Sequence, residues 1–173
     1  MSLTATLHLH SEHHVGDVDT RIFGGFAEHL GRCVYEGMYD PGNPLSDADG
    51  FRIDVMDAVR RLNMPLMRYP GGNFVSNYDW TDGIGPRESR PRRPDYAWRS
   101  LETNQFGTDE FMQWCKKVGT APMMAVNLGT KGSEEAAALL EYCNMPTGTY
   151  WADKRAENGH ADPYGGEDLV PRQ

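Results

Sequence analysis

Hydrophobic positions along the chain change their spacing several times, and each spacing predicts a particular element. Residues 3–9 carry an apolar side chain at every second position, which is typical of a half-buried strand. A second strand is predicted over residues 21–26. Short apolar runs at 66–69 and 122–127 predict two further, buried strands.

Three segments have helical spacing instead. Residues 49–62 place their apolar side chains on one helical face. Residues 108–118 begin with a threonine that can act as the N-cap, and Gly119 suits the C-terminal end. A last helix is predicted to start at a Ser133 cap and to reach about Tyr142.

These elements alternate in the order β-βα-βα-βα, which predicts an α/β fold with a parallel sheet and covering helices. Candidate functional side chains follow the predicted strand ends, as on the active-site face of a (β/α)8 barrel. They are Glu28, His29, Arg68, Asn73, Asn127 and Thr130. A whole barrel needs eight such units, and the pattern supplies only three.

The turn after the 66–69 strand carries the strongest candidate chemistry. Arg68 lies at the end of the strand, and Pro70 and two glycines force a sharp turn that presents Asn73. A cation and an amide at the carboxyl end of a buried strand suit a site that binds a sugar or orients a carboxylate. The alternative is an ordinary solvated turn.

Two long loops are predicted, at 35–50 and 70–107. Loops as long as the second are usually functional. Its aromatic side chains could stack on sugars or could cap the core. They are Tyr78, Trp80, Tyr96 and Trp98.

Composition narrows the class of protein. The net charge of −8 over 173 residues argues against a nucleic-acid partner. No apolar run approaches the length of a membrane span, and the N-terminus lacks the apolar stretch of a signal peptide. The three cysteines lack metal-ligand spacing, which predicts reduced, buried thiols in a cytoplasmic protein. The histidine-rich start has no carboxylate or thiolate at a recognised spacing, so no metal site is predicted there.

Six blocks of sequence, in order, resemble the intracellular α-L-arabinofuranosidases of glycoside hydrolase family 51. The blocks are residues 23–30, 68–74, 80–86, 102–111, 125–130, and 141–144 followed by 148–153. The resemblance runs from about residue 3 to Tyr164. It implies a (β/α)8 barrel whose first three units lie in residues 17–164. It also implies a β-sandwich domain to which a strand within residues 1–16 contributes.

The resemblance also implies an activity. Family members hydrolyse terminal, non-reducing α-L-arabinofuranosyl residues of arabinan, arabinoxylan and related oligosaccharides, with retention of configuration. Retention requires two carboxyl groups about 5–5.5 Å apart, one acting as nucleophile and one as acid/base. No cofactor, nucleic acid or membrane partner is implied. The family is cytoplasmic and usually forms homo-oligomers.

Three residues of the chain match family positions at the substrate. Glu28 matches a glutamate that hydrogen-bonds sugar hydroxyls, and Asn73 matches a residue that contacts the arabinose. Arg68 matches an arginine that steadies the nucleophile carboxylate. Alternatively, Glu28 and Arg68 pair only with each other, and Asn73 merely satisfies its own turn.

The resemblance implies that both catalytic glutamates lie beyond the position of Gln173, so no catalytic residue is predicted in this chain. Residues 165–173 depart from the family pattern. One extra G inserted before codons for the family's Val-Lys-Thr-Trp-Cys-Leu-Gly-Asn reproduces residues 166–173 and can create a stop codon next. We therefore hypothesise a frameshift that leaves a truncated chain, inactive alone. The alternatives are a true short protein with a polar tail, a non-catalytic arabinoside-binding module, and a complementing half-barrel.

Overall fold

A short parallel sheet forms the centre of the fold in the computed structural model, which describes residues 2–165. Its strands are β1 (Gly25–Phe26), β2 (Leu66–Tyr69) and β5 (Ala121–Met124), in the spatial order β1-β2-β5. A separate antiparallel pair consists of β3 (Arg93–Asp95) and β4 (Ser100–Glu102). The helices are α1 (Ile53–Leu62), α2 (Thr108–Val118), α3 (Ser133–Asn144) and α4 (Tyr150–Glu157).

The parallel order predicted from the sequence is confirmed. Gly25 pairs with Met67, and Tyr69 pairs with Met124, so β2 lies between its two neighbours. Helix α1 connects β1 to β2, and the connection from β2 to β5 contains α2. Helices that connect parallel strands in this way define a partial α/β fold.

The 66–69 strand and the 108–118 helix have the predicted bounds, and helix α3 runs two residues past the predicted end, to Asn144, whereas the other predicted elements are shorter. Helix α1 starts at Ile53 and not at residue 49, because the Asp47 carboxylate accepts hydrogen bonds from the Asp49 and Phe51 amides and holds a turn there. A 3₁₀ turn at Thr20–Phe23 occupies the first half of the strand predicted over 21–26.

Two helix caps were predicted wrongly, and one helix was missed. Glycines 107 and 132, and not Thr108 and Ser133, precede the first helical residues. At the start of α2 the Glu110 carboxylate accepts a hydrogen bond from the Gly107 amide at 2.8 Å, which replaces a side-chain cap. Helix α4 was not predicted, because its sequence is strongly polar. Only Ala152 and Arg155 of this helix are buried.

The N-terminal segment does not form the predicted strand. Residues 2–10 pair with no strand of the described chain, and Leu3, Leu7 and Leu9 are at least 82% exposed. A strand needs a neighbour for its backbone hydrogen bonds, and none lies here. A contribution of residues 1–16 to a β-sandwich remains a prediction. The tail assigned to the frameshift spans residues 165–173, and all of it except Gly165 lies outside the described residues.

The predicted loop between β2 and α2 is more ordered than expected. It contains the β3–β4 pair and three 3₁₀ turns, at Val75–Asn77, Trp80–Gly83 and Arg87–Ser89. This region extends over the carboxyl end of the sheet, where it contributes Phe74 and Trp80 to one hydrophobic cluster and Phe106 to another. The loop therefore belongs to the core as well as to the candidate site.

Within residues 2–165, the core consists of two clusters rich in aromatic side chains. The first includes Phe51, Tyr69, Phe111 and Trp114, all fully buried. The second centres on Trp80 and Tyr142 and is formed by the loop, α2 and α3. Each fully buried large side chain stabilises the fold by about 1.5–3 kcal/mol.

The cysteines fit their prediction only in part. Cys115 and Cys143 are buried free thiols, whereas Cys33 is exposed. Within residues 2–165, none of the helices combines the length and apolar character needed to cross a bilayer.

Candidate functional site

The carboxyl ends of β1 and β2 bring Glu28 against the Arg68–Asn73 turn. The backbone pairing continues past β1, because the Ala27 amide donates to the Arg68 carbonyl at 2.8 Å and the His29 amide donates to the Pro70 carbonyl at 3.1 Å. The Tyr69–Pro70 peptide bond is cis. Parallel pairing therefore places the candidate residues of two strands side by side, as the sequence predicted.

The turn holds one oxygen of the Glu28 carboxylate. Oε1 accepts hydrogen bonds from the Gly72 amide at 3.1 Å and from the Phe74 amide at 3.2 Å. Oε2 has no hydrogen-bond partner among the described residues, although the residue is only 8% exposed. The carboxylate is fixed through one oxygen, and the other can accept a hydrogen bond from a ligand.

Arg68 and Glu28 do not form the structural ion pair that was left open. The Arg68 Nη2 donates to the Gly71 carbonyl at 3.2 Å, and its guanidinium carbon lies 4.8 Å from the centroid of the Phe26 ring. Across residues 2–165, no carboxylate pairs with this guanidinium. Most of its five N–H donors remain available for a carboxylate.

The Asn73 side chain does not hydrogen-bond to the backbone of its own turn. Its side chain is exposed and makes no hydrogen bond within the part of the chain that the structure describes. Its amide can both donate and accept hydrogen bonds, as a sugar hydroxyl requires. Arg68, Glu28 and Asn73 thus each retain polar capacity at the same edge of the sheet.

Asn127 and Thr130, in contrast, are engaged with the protein. The Asn127 Oδ1 accepts hydrogen bonds from the Gly129 and Thr130 amides at 3.0 Å, and its Nδ2 donates to the Tyr78 carbonyl at 3.0 Å. The Thr130 hydroxyl donates to the Ser76 carbonyl. These two candidates tie the segment after β5 to the long loop and show no free group for a ligand.

Most of the loop aromatics cap the core. Tyr78 and Trp80 are buried, and the Trp80 indole donates to the Glu135 carbonyl at 3.3 Å. Tyr96 differs, because it is 71% exposed and lines a cleft of about 250 Å³ together with the Arg93–Asp82 ion pair. Of the two readings left open, core packing is right for Tyr78 and Trp80.

Sequence reasoning missed the roles of Glu102 and Tyr35. His29 Nδ1 lies 3.0 Å from the Glu102 carboxylate, and the Tyr35 hydroxyl donates to the same carboxylate. Glu102 lies within one of the blocks that carry the family resemblance, but nothing local in the sequence connects it to His29. Residues 2–165 contain no group of three or more histidine, cysteine, aspartate or glutamate side chains arranged to bind a metal.

Parallel strands with free polar groups at their carboxyl edge define an α/β domain of the kind that binds ligands at that edge. A family model described as an α-L-arabinofuranosidase 1 domain matches residues 58–167. The chain is 55% identical over 164 residues to an intracellular exo-α-(1→5)-L-arabinofuranosidase of Halalkalibacterium halodurans. The match covers 95% of the chain and 33% of that relative.

Solved structures agree with the sequence comparison. A family 51 α-L-arabinofuranosidase from Bifidobacterium longum has a TM-score of 0.85 and 55% identity, over 90% of this chain and 30% of that one. An arabinose complex of the Thermotoga maritima enzyme has a TM-score of 0.80 and 52% identity, over 83% of this chain and 31% of that one.

The chain therefore belongs to the α-L-arabinofuranosidases of glycoside hydrolase family 51. It spans about a third of the length of the relatives it matches.

Proposed function

We propose that the chain supplies the arabinofuranose-binding corner of a retaining α-L-arabinofuranosidase active site. Glu28 and Asn73 bind hydroxyl groups of the terminal arabinofuranosyl unit, and Arg68 steadies the carboxylate of the nucleophile. The observation that carries the proposal is the Glu28 carboxylate. Its Oε1 is held by two backbone amides, while its Oε2 has no partner in the described chain.

The chemistry of these groups suits the assigned roles. A charged carboxylate accepts hydrogen bonds from hydroxyls more strongly than a neutral group does. The Arg68 guanidinium can bind a carboxylate with two parallel hydrogen bonds. Neither the nucleophile nor the acid/base is assigned to a residue of this chain, and no cofactor is part of the proposal.

We further propose that β1, β2 and β5 are consecutive strands of a (β/α)8 barrel. The outer edges of β1 and β5 have no neighbouring strand in the described residues. Phe26 and Met123, on these two strands, are each nearly half exposed. Such edges are suited to pair with further strands. The name of the H. halodurans relative supports a cytoplasmic location. Arabinofuranosyl oligosaccharides as substrates and a homo-oligomeric state remain predictions.

Replacing Glu28 with glutamine is expected to weaken L-arabinose binding by about 10- to 100-fold. The change removes the charge that strengthens hydrogen bonds to the sugar, and such bonds contribute about 1.5–3 kcal/mol each. NMR titration of the isotope-labelled chain measures the affinity through the amide signals of Gly72 and Asn73.

The matched control is Glu12→Gln, because Glu12 is exposed and lies in the N-terminal segment away from the sheet. This variant should bind L-arabinose as the wild type does. Equal binding by Glu28→Gln and the wild type would contradict the role of Glu28. A wild-type chain whose signals do not respond to L-arabinose would contradict the binding function itself.

The purified chain is expected to release no p-nitrophenol from p-nitrophenyl α-L-arabinofuranoside. Retaining hydrolysis needs two suitably spaced carboxyl groups, and the proposal assigns neither to this chain. An absorbance assay with an intact family 51 enzyme as the positive control measures this. Turnover that copurifies with the chain and is lost in Glu28→Gln would show that the chain contains a complete catalytic site.

A further inference from the structure

A buried histidine lies beneath the turn that holds Glu28. The His29 side chain is 3% exposed, and its Nδ1 lies 3.0 Å from Oε2 of Glu102. Its Nε2 lies 2.8 Å from the hydroxyl oxygen of Tyr69. The Nε2 contact with Tyr69 is a hydrogen bond, whereas Nδ1 makes a close electrostatic contact with Glu102 without hydrogen-bond geometry, and the two contacts together hold the imidazole in place.

The imidazole contacts the part of the turn that binds Glu28. It stacks on the Phe74 ring with the centroids 4.5 Å apart and the planes inclined by 18°. The Phe74 amide is one of the two donors to the Glu28 carboxylate. The His29 backbone amide donates to the Pro70 carbonyl. His29 therefore contacts the turn at its beginning, through Pro70, and at its end, through Phe74.

Glu102 is itself held in place at the end of β4. Its Oε1 accepts hydrogen bonds from the Tyr35 hydroxyl and from the Asn104 amide. Burial alone would raise the pKa of Glu102, but the adjacent His29 imidazole, together with the hydrogen bonds from Tyr35 and Asn104, holds this pKa below its ordinary value. The Glu102 carboxylate therefore remains a charged partner for His29. The two residues are far apart in the sequence but in contact in the fold.

We propose that His29 is a positioning residue for Glu28. Glu102 and Tyr69 fix the imidazole, the imidazole supports Phe74, and the backbone of the turn then holds the Glu28 carboxylate. Preorganisation of a binding group by a buried supporting layer is a general requirement of precise sites. The sugar-binding consequence rests on the proposed function, whereas the positioning of the carboxylate is a property of the chain alone.

Amide hydrogen exchange of the intact chain tests the positioning directly. In His29→Ala the Gly72 and Phe74 amides should exchange about tenfold faster relative to the Ala121 amide, as expected when hydrogen bonds to a charged group are lost. Ala121 donates to the Pro65 carbonyl at the other end of the sheet. A purely structural role would accelerate all three amides equally, and that result would overturn the proposal.

His160→Ala is the matched control, because His160 is half-buried and lies after α4, away from the turn. It should leave the ratio of exchange rates unchanged. Glu102→Gln retains an acceptor and should preserve most of the protection, whereas Glu102→Leu should lose it. Equal protection in these two variants would contradict the proposal.

If His29→Ala does not fold, Tyr69→Phe removes a single oxygen and gives the deciding measurement. It should raise the same ratio of exchange rates, and an unchanged ratio would overturn the proposal. Affinity for L-arabinose should follow the exchange results across the variants. A wild-type chain that does not bind L-arabinose, with the exchange effects intact, would overturn the proposed function and support the positioning role.

Discussion

Replacing Arg90 with methionine is expected to lower the free energy of unfolding by about 3–5 kcal/mol, which is the usual cost of removing one partner of a buried ion pair. The Arg90 side chain is 2% exposed and binds Glu110 through two hydrogen bonds of 2.9 Å. Arg90 also donates to the carbonyls of Gly85 and Asn104. Its loss would leave a buried carboxylate and two carbonyls with fewer partners.

The Arg90→Met substitution is expected to disturb the candidate site as well as to lower the stability. Glu110 also binds the Gly107 amide at the start of α2 and the Arg87 guanidinium at 3.1 Å. The Arg90–Glu110 pair therefore fastens the long loop, which carries Glu102, to helix α2. A typical domain has a total stability of about 5–15 kcal/mol, so this loss would remove a large share of the free energy that keeps the chain folded.

Urea unfolding followed by circular dichroism measures the change. The matched control is Arg93→Met, since Arg93 pairs with Asp82 at the surface and is well exposed. Surface ion pairs contribute little, so this variant should unfold at the same urea concentration as the wild type within error. Equal midpoints for the two variants would show that the buried pair does not stabilise the loop.

Replacing Gly71 with alanine is expected to displace the Glu28 carboxylate and to destabilise the chain by about 1–3 kcal/mol. Gly71 has φ +143°, a conformation that side-chain-bearing residues rarely adopt. A Cβ at this position would lie 2.4 Å from Cγ of Glu28 and 2.7 Å from its Oε1. The glutamate and the turn cannot both retain their positions.

Its neighbour in the turn provides a matched control. A Cβ on Gly72 would meet nothing closer than Arg68 Nη2 at 4.0 Å, so Gly72→Ala should retain the fold and the Glu28 contacts. Chemical denaturation gives the stability of both variants, and NMR gives the chemical shift of the Phe74 amide that donates to Glu28. If Gly71→Ala leaves that shift at its wild-type value, the close approach of Glu28 to the turn is not required.

Much of this fold could be predicted because its signals are local. The apolar run at 66–69, the bounds of the 108–118 helix and the parallel order of the strands follow from periodicity and connection rules. The turn at Gly71 was also predictable, since glycine and proline restrict the backbone locally. Glu28, Arg68 and Asn73 could be placed together for the same reason, because parallel strands end at a common edge.

Other features needed the tertiary structure. Thr108 and Ser133 looked like helix caps, but they are the first helical residues, and Gly107 and Gly132 hold the cap positions. At Gly107 the backbone of Gly83 approaches so closely that a side chain would not fit. Helix α4 has a weak apolar pattern, and buried Arg155 is stabilised by the carbonyls of Tyr142, His160 and Ala161. Periodicity cannot detect a helix whose buried side chain is charged.

The sequence by itself determined the order of the βα units, the family and the three residues at the strand edge. Only the tertiary structure decided that the turn holds one oxygen of Glu28, while the other has no partner within residues 2–165. It also decided that no carboxylate of this range pairs with Arg68 and that the Asn73 side chain makes no hydrogen bond in it. It also decided that Glu102 lies against His29. Contacts between residues distant in sequence depend on how the loop folds over the sheet, and local propensity and spacing carry no information about that approach.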